Sequence, residues 1–375
     1  MTERSVAHVI PSPSNVVPAA SPDAPDAASG TIIEGAYFND LLSQPDTLRA
    51  VREGLADANL AAPLLADWRA GRYARILLTG MGSSLHAAYP LHRAMSGAGF
   101  VSHWIETAEL LLGFAPLYSP QTLLVAISQS GESAEIVSLA KRADDFGHLV
   151  GITNSERSSL GRAAGSRLPL NAGIESTVSC KTYVATLAVL RWLGAQLLHG
   201  DAHFALEELA QVERSVREYL SHWREYIREL LPLLEGIQDV FVTGRGDSLA
   251  AAGTGGLILK ESTRRHAEGM SAAAFRHGPL EMAGGSVLVL IFEGDESVSP
   301  LHRRLAHDIL SGGGKAALIG PRTAGLNVFR LPDAPASVQP IVEILPVQML
   351  SLALAARDGF EAGRFERASK VTDIS

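Results

Sequence analysis

A short polar segment follows directly after an apolar run in the first half of the chain. The apolar run is 123–127, and the segment is Ser128-Gln129-Ser130-Gly131-Glu132-Ser133. Buried parallel strands have such apolar composition, and open α/β sheets bind ligands at the carboxyl ends of their strands. The helical spacing of apolar residues in 134–142 places the polar segment at a helix N-terminus. Hydroxyl, amide and backbone N–H groups gathered there suit a phosphate dianion.

The same serines could instead simply cap helices. A helix cap uses one hydroxyl, whereas this segment and a second serine pair, Ser83-Ser84, offer several. We therefore predict a phosphate site in the first half of the chain.

Composition restricts the classes of function. The chain has 375 residues, is 46% hydrophobic and carries a formal charge of -8, which predicts a soluble protein of two domains and disfavours nucleic acid and anionic membranes as partners. Cys180 is the only cysteine, so an internal disulfide and a cysteine zinc cluster are excluded and the cytoplasm is favoured. We find no stretch that approaches the roughly 20 apolar residues of a membrane span. Residues 1–30 are rich in Pro, Ala and Ser, lack the apolar core of a signal peptide and predict a disordered tail.

The chain repeats itself. The segment 79–88 (TGMGSSLHAA) recurs as 243–252 (TGRGDSLAAA), an offset of 164 residues, and the same offset carries 123–133 onto 287–297, another apolar run with a polar end. Two motifs with one offset predict a duplicated α/β domain. At this offset Phe292, Glu293 and Gly294 stand where the first copy has Ser128, Gln129 and Ser130. Carboxylates repel phosphate, so we expect only the first copy to bind it.

Amphipathic spacing predicts further helix over 38–70 and one long helix over 205–233 that links the two copies. The predicted organisation is a tail (1–30), N-terminal helices with a first, phosphate-binding domain (31–204), a linking helix (205–236), a second domain (237–360) and a C-terminal active-site tail (361–375).

Several motifs occur in the order found in double sugar isomerase (SIS) domain proteins. They are Gly82-Ser83-Ser84, 128–133, Ser179-Cys180-Lys181-Thr182, Lys260-Glu261, His266-Ala267-Glu268, Arg276-His277-Gly278-Pro279-Leu280 and Ser369-Lys370-Val371-Thr372. From about Phe38 onward the chain resembles the isomerase half of glucosamine-6-phosphate synthase and its free-standing deaminase and deglycase relatives. The resemblance implies two tandem SIS domains, each a flavodoxin-like parallel sheet flanked by helices, and chemistry without cofactor or metal.

The resemblance also implies which residues form the active site. Phosphate would be held by Ser84, Ser128, Gln129, Ser130 and Ser133, with Ser83 and Ser179 nearby. Glu261 is similar to the family's enolisation base, which moves a proton between C1 and C2 of an open-chain sugar. A carboxylate shielded from water has a raised pKa and suits that task at neutral pH. Alone, Glu261 would be interpreted as a helix glutamate paired with Lys260 or Arg264.

Two further residues depend on the resemblance. His277 is similar to the histidine that opens the ring or protonates the leaving group and that reaches the site from a neighbouring subunit, which implies a homodimer with shared active sites. Lys370 is similar to the tail lysine that neutralises a developing oxyanion. By residue type alone these would be a loop histidine and a solvated lysine. We expect structural roles for His266 and Glu268, and a packing role for His86.

The sequence departs from the synthase pattern. Its glutaminase half needs an N-terminal cysteine, whereas this chain has Thr2 and no cysteine before Cys180, so glutamine is not expected as nitrogen donor. Ile258 and Thr254 stand where the synthase has a lysine and a glutamate, which weakens the case for ammonia addition but leaves enolisation by Glu261 intact.

The leading interpretation is a sugar-phosphate isomerase that enolises hexose or hexosamine 6-phosphates and releases ammonia, as in the conversion of glucosamine 6-phosphate to fructose 6-phosphate. One alternative is a deglycase of fructose-amine 6-phosphates, and another is a non-catalytic sugar-phosphate sensor, although the N-terminal tail has no helix-turn-helix pattern. A dinucleotide site is disfavoured because the third glycine of G-x-G-x-x-G would fall at Leu85.

Overall fold

The computed structural model describes residues 32–58, 60–320, 328–367 and 369–370. The predicted disordered tail 1–30, with Thr2, and the Val371-Thr372 end of the C-terminal motif lie outside the described residues.

The first sheet has five parallel strands in the order β2-β1-β3-β4-β5. Its strands are β1 (Arg75–Gly80), β2 (Ser102–Glu106), β3 (Thr122–Ile127), β4 (His148–Thr153) and β5 (Ser166–Pro169). This is the flavodoxin-like order. The central strand β3 is buried over its whole length, as its apolar composition predicts.

The second sheet repeats this order as β10-β9-β8-β6-β7, again all parallel. Its strands are β6 (Asp239–Gly244), β7 (Ala267–Ser271), β8 (Val287–Phe292), β9 (Lys315–Gly320) and β10 (Val328–Arg330). The predicted fold class, two tandem α/β units with flavodoxin-like sheets, is confirmed.

Strand register corrects the predicted alignment of the copies. Thr79 pairs with Ala126 in the first sheet, whereas Thr243 pairs with Ile291 in the second. The offset between β3 and β8 is therefore 165 residues, one more than between β1 and β6. Ser128 corresponds to Glu293, and not to Phe292 as predicted, because the chain between β6 and β8 is one residue longer than the chain between β1 and β3.

The predicted helix over 38–70 is three helices: α1 (Ala36–Leu42), α2 (Gln44–Ala56) and α3 (Ala62–Arg69). The predicted single helix over 205–233 is also divided, into α10 (His203–Ser221) and α11 (Trp223–Leu230). The Ser221 hydroxyl and the His222 ring both bond to the backbone oxygen of Glu218. Such side-chain bonds compete with helix continuation, which explains the break.

The remaining helices flank the sheets. They are α4 (Gly82–Ala87), α5 (Tyr89–Gly97), α6 (Thr107–Gly113), α7 (Ala134–Ala140), α8 (Ser159–Ala163), α9 (Lys181–His199), α12 (Ser248–Thr263), α13 (Ala272–Phe275), α14 (Ser299–Ser311) and α15 (Gln339–Arg357). Helices α9, α12 and α15 lie between the sheets and belong to one continuous hydrophobic core with the facing sides of both. A shared core fixes the two units relative to each other.

One segment corrects the prediction that no stretch is apolar and long enough to span a membrane. Residues 336–357 form 22 helical residues, and an 18-residue window within them has a mean hydropathy of 1.5 and is 94% buried inside the protein. The segment is apolar because it packs in the shared core.

Small residues let α12 approach β7 closely. A Cβ atom on Gly256 would lie 2.3 Å from the backbone nitrogen of Gly269, so a larger residue would push the helix away. This approach sets the position of Glu261, near the C-terminal end of the same helix.

Candidate active site

A cavity of about 380 Å³ opens at the carboxyl ends of the first sheet. It is lined by every predicted site residue except His277: Ser83, Ser84, Ser128, Gln129, Ser130, Ser133, Ser179, Glu261 and Lys370. We call it the phosphate cavity, after the predicted ligand. The first-copy loops, the start of α9, helix α12 and the C-terminal tail all contribute to it, so residues far apart in sequence meet in one place.

The loop between β3 and α7 is held in a fixed shape. Gly131 has φ +67°, and a Cβ atom there would lie 2.1 Å from the Ser158 hydroxyl, so glycine is required. The Ser128 hydroxyl accepts the Gly131 N–H at 3.1 Å. The Glu132 carboxylate accepts the N–H and the hydroxyl of Ser159 at 2.8 and 2.7 Å. These contacts keep the loop in place before any ligand arrives.

The hydroxyls of Ser133 and Ser179 are not used as helix caps. Ser133 is the N-cap residue of α7, but its side chain makes no capping hydrogen bond. Ser179 lies before α9, where its hydroxyl is 3.0 Å from the Thr182 hydroxyl. The cavity therefore presents neutral donors to an incoming group, and neutral donors can share the charge of an anion.

Glu261 is partly shielded and makes no ion pair with a described residue. Its expected alternative partners are engaged elsewhere: Arg264 is 2.7 Å from Glu366, and Lys260 is 3.6 Å from Glu268. Burial raises the pKa of the Glu261 carboxyl to about 7, against the opposing effects of Lys370 and Lys260 and with a further increase from Glu175. Such a group can both accept and return a proton near neutral pH.

Lys370 is docked and not merely solvated. Its ammonium donates to the Glu175 carboxylate at 2.8 Å and to the Thr177 backbone oxygen at 2.6 Å. Sequence patterns do not single out Glu175, because a lone glutamate in a loop has no distinguishing spacing. Its nearness to the motif 179–182 is the only signal that could have found it.

His277 lies outside the phosphate cavity. It follows α13, is exposed, and its N–H bonds to the Ala274 backbone oxygen. Within one chain the structure does not bring it to Glu261, so its delivery by a second subunit stays a prediction.

The other histidine predictions concern packing. His86 is half-buried against α12, within contact distance of a Cβ placed on Gly253, and desolvation lowers its pKa to about 4. His266 bonds to Asp239 at 3.1 Å. These contacts agree with the expected packing and structural roles.

The spacing of Asp40, Glu175 and Cys180 would allow a metal, since one ligand atom from each lies within 4.8 Å of the others. The charges of the two carboxylates are already paired, Asp40 with Lys181 at 2.7 Å and Glu175 with Lys370. Burial raises the pKa of the Cys180 thiol and opposes the thiolate that a metal would need. This donor set fits ion pairing better than metal binding.

A second cavity, of about 360 Å³, adjoins the first, and Glu261 and Phe365 line both. We call it the cationic cavity because its other lining residues are mostly basic: Lys260, Arg264, Arg265, His266, Arg364, Arg367 and the acidic Glu366. Arg265 is paired with Asp358, whereas Arg364 and Arg367 form no salt bridge among the described residues.

The fold and the cavity define a tandem α/β protein with a candidate ligand site at the carboxyl ends of its first sheet. Residues 72–195 match the model of the SIS domain. This part of the chain, which holds the first sheet, is a SIS domain.

Known proteins with similar sequence or structure agree with this assignment. The chain is 30% identical over 354 residues to the glutamine–fructose-6-phosphate aminotransferase (isomerizing) of Pyrococcus horikoshii. The alignment covers 90% of this chain and 57% of the relative. The chain spans about half the length of the curated relatives it matches.

Solved structures share the fold. The C-terminal domain of glucosamine-fructose-6-phosphate aminotransferase from Francisella tularensis has a TM-score of 0.77 at 20% identity, covering 88% of this chain and 98% of that one. Glucosamine-6-phosphate deaminase from Thermotoga maritima has a TM-score of 0.70 at 15% identity, and the match covers 91% of this chain and 100% of that one.

Proposed function

We propose that this protein is a phosphosugar isomerase that enolises open-chain hexose or hexosamine 6-phosphates. The observation that carries the proposal is that Glu261, a carboxyl with a pKa of about 7, lines the same cavity as the serine-rich phosphate loops. A phosphate anchored at one end of the cavity would hold the other end of a six-carbon chain in place for proton transfer.

In the proposed reaction, Glu261 takes a proton from the carbon next to the carbonyl and returns it to the neighbouring carbon. The intermediate is an enediol or enolamine whose oxygen carries developing negative charge. The ammonium of Lys370, which lines the same cavity as Glu261, would stabilise that charge. His277 of a second subunit would open the sugar ring, so we propose a homodimer with shared active sites. We also propose a cytoplasmic location, which suits the unpaired thiol of Cys180.

The finer proposal is loss of ammonia. In glucosamine 6-phosphate the proton moves from C2 to C1, and the amino group on C2 becomes an imine. Water adds to the imine and releases ammonia, which leaves fructose 6-phosphate. The names of the relatives support amino-sugar chemistry but leave its direction open.

The cationic cavity favours a second candidate, a deglycase of fructose-amine 6-phosphates. Here the proton moves from C1 to C2, and water hydrolyses the resulting C1 imine to an aldose 6-phosphate and a free amine. The cationic cavity and the phosphate cavity meet at Glu261. An amine that bears a carboxylate and extends past Glu261 would therefore meet Arg364 and Arg367. Ile258 is also compatible with this reaction, which needs no second lysine.

The test is turnover of a panel of hexose, hexosamine and fructose-amine 6-phosphates, followed by mass spectrometry of ammonia, amine and sugar. Loss of hexosamine turnover in Glu261→Gln supports the deaminating isomerase. Turnover of conjugates alone supports the deglycase. Binding without turnover in wild type and variant contradicts both and supports a sensor.

A matched pair of conjugates tests whether the cationic cavity binds the carboxylate of a deglycase substrate. The glycine and glycinamide conjugates differ only by a carboxylate against a carboxamide. Arg367→Gln should lower turnover of the glycine conjugate selectively. Arg304 is an exposed arginine on α14. Arg304→Gln is therefore the control and should change the turnover of neither conjugate.

A further inference from the structure

Glu175 is a buried carboxylate with a complete set of donors. It lies in the loop between β5 and α9, and its side chain has no exposed surface. One oxygen accepts the N–H groups of Cys180 and Thr182 at 3.0 and 3.1 Å. The other accepts the Thr182 hydroxyl and, at 2.8 Å, the ammonium of Lys370. A buried carboxylate needs such donors because it has lost its water.

Three of these four donors are local, from residues 5 or 7 positions away, whereas Lys370 is 195 positions away. The loop and the start of α9 can therefore form the anionic receptor before the tail arrives. The Thr177 backbone oxygen adds a second acceptor for the same ammonium at 2.6 Å. Thr177 and Lys370 both line the phosphate cavity.

We propose that Glu175 is a positioning residue that docks Lys370, and with it the described part of the C-terminal tail, against the phosphate cavity. This inference rests on the proposed function, because that function assigns Lys370 a task on the substrate. Glu175 itself does not line the cavity among the described residues, so it acts through the lysine.

The docked pair also sets the charge around Glu261. The groups that influence the pKa of this carboxyl are Lys260 on its own helix, Lys370 on the tail and Glu175 on the loop, and Glu261 in turn influences Tyr37 of α1. Lys370 lowers the pKa of Glu261 and Glu175 raises it. Removal of a docked lysine should therefore raise the pKa of Glu261, and removal of an undocked lysine should change it little.

The experiment combines Glu175→Gln and Lys370→Met in the full chain. The first readout is tryptic cleavage after Arg367, which should become about tenfold faster in either variant because a charged hydrogen bond to the tail is lost. The second is the titration of Glu261, followed by carbon-13 carboxyl signals and assigned with Glu261→Gln. Lys370→Met should raise the pKa in the wild-type background and have little effect in the Glu175→Gln background.

Unchanged cleavage in both variants, or an equal effect of Lys370→Met in both backgrounds, would overturn the docking. Glu343→Gln is the matched control, because Glu343 is a buried carboxyl of α15 that bonds to Ser248 and is not among the groups that influence Glu261, and it should change neither readout. If Glu175→Gln fails to fold, cleavage of Lys370→Met still tests the contact from the tail side. Neither readout needs turnover, so an inactive wild type would refute the proposed function and leave this result standing. With active enzyme, Glu175→Gln should lower kcat more than it changes KM.

Discussion

Ser128 and Glu293 occupy equivalent places at the carboxyl ends of the two sheets, yet they face different surroundings. Ser128 lines the phosphate cavity. The Glu293 carboxylate is fully buried and accepts the Ser299 hydroxyl at 2.7 Å and an Arg303 N–H at 2.6 Å. The second sheet thus has an internal ion pair where the first presents a hydroxyl to the phosphate cavity.

This ion pair predicts a stability effect. Arg303→Met would leave the buried Glu293 carboxylate without its cation, and we expect the free energy of unfolding to fall by about 3 kcal/mol. The neighbouring Arg304 is exposed, so Arg304→Met should change it by less than about 0.5 kcal/mol. Urea unfolding of both variants measures this, and equal effects would show that Arg303 contributes no more than a surface arginine.

Activity should depend on the protonation of Glu261. Because its pKa is about 7, the carboxylate that accepts the proton is lost as the pH falls through this value. We expect kcat/KM to decrease tenfold per unit below about pH 6 for a single essential base. A pH–rate profile checks this. A profile flat from pH 5.5 to 8.5 would exclude Glu261 as the base.

The phosphate cavity predicts a specific loss of affinity. Ser84→Ala and Ser128→Ala each remove a donor to a charged group, a loss of roughly 1.5–3 kcal/mol, so KM for a sugar phosphate should rise roughly 10- to 100-fold. Ser138 lies on the exposed side of α7 and bonds to the Ala134 backbone oxygen, so Ser138→Ala is the control. Binding of inorganic phosphate by calorimetry gives the same comparison without turnover, and unchanged affinity in both cavity variants would contradict a phosphate site.

Shared active sites predict complementation. A Glu261→Gln chain paired with a His277→Ala chain would form one intact site, made from Glu261 of one subunit and His277 of the other. Random mixing should restore roughly a quarter of the wild-type activity in a two-fold dimer. Activity after co-refolding of the two inactive variants measures this. Sites built within one chain would give no recovery.

Glu343 predicts a pH dependence of stability. It is buried in α15, its carboxyl accepts the Ser248 hydroxyl at 2.7 Å, and burial raises its pKa from 4.5 to about 8. Between these values the folded chain keeps a proton that the unfolded chain releases, so the free energy of unfolding falls as the pH rises. Glu343→Gln should remove this slope of at most about 1.4 kcal/mol per pH unit. Urea unfolding from pH 5 to 8 compares the two proteins, and parallel curves would exclude the effect.

The spacing of apolar residues predicts the strands and helices that carry the serine-rich loops. The apolar run before Ser128 became a buried strand because a parallel sheet covers both faces of its central strands. Periodicity predicts one continuous helix over 205–233, because it shows which residues are apolar and not where Ser221 and His222 bond to the backbone. The copy alignment was wrong by one residue at Glu293 because an inserted residue in a connection leaves no mark in a repeated motif.

By itself the sequence determined that the chain has two related α/β halves, that the first half bears the hydroxyl-rich loops, and that Glu261 is a candidate base. These follow from periodicity, repetition and residue type, which are local properties of the chain. Only the tertiary structure decided that Glu261 meets those loops, that Glu175 holds Lys370, and that His277 lies elsewhere. Contacts between residues far apart in sequence depend on how helices pack across the shared core, and that packing is a property of the whole fold.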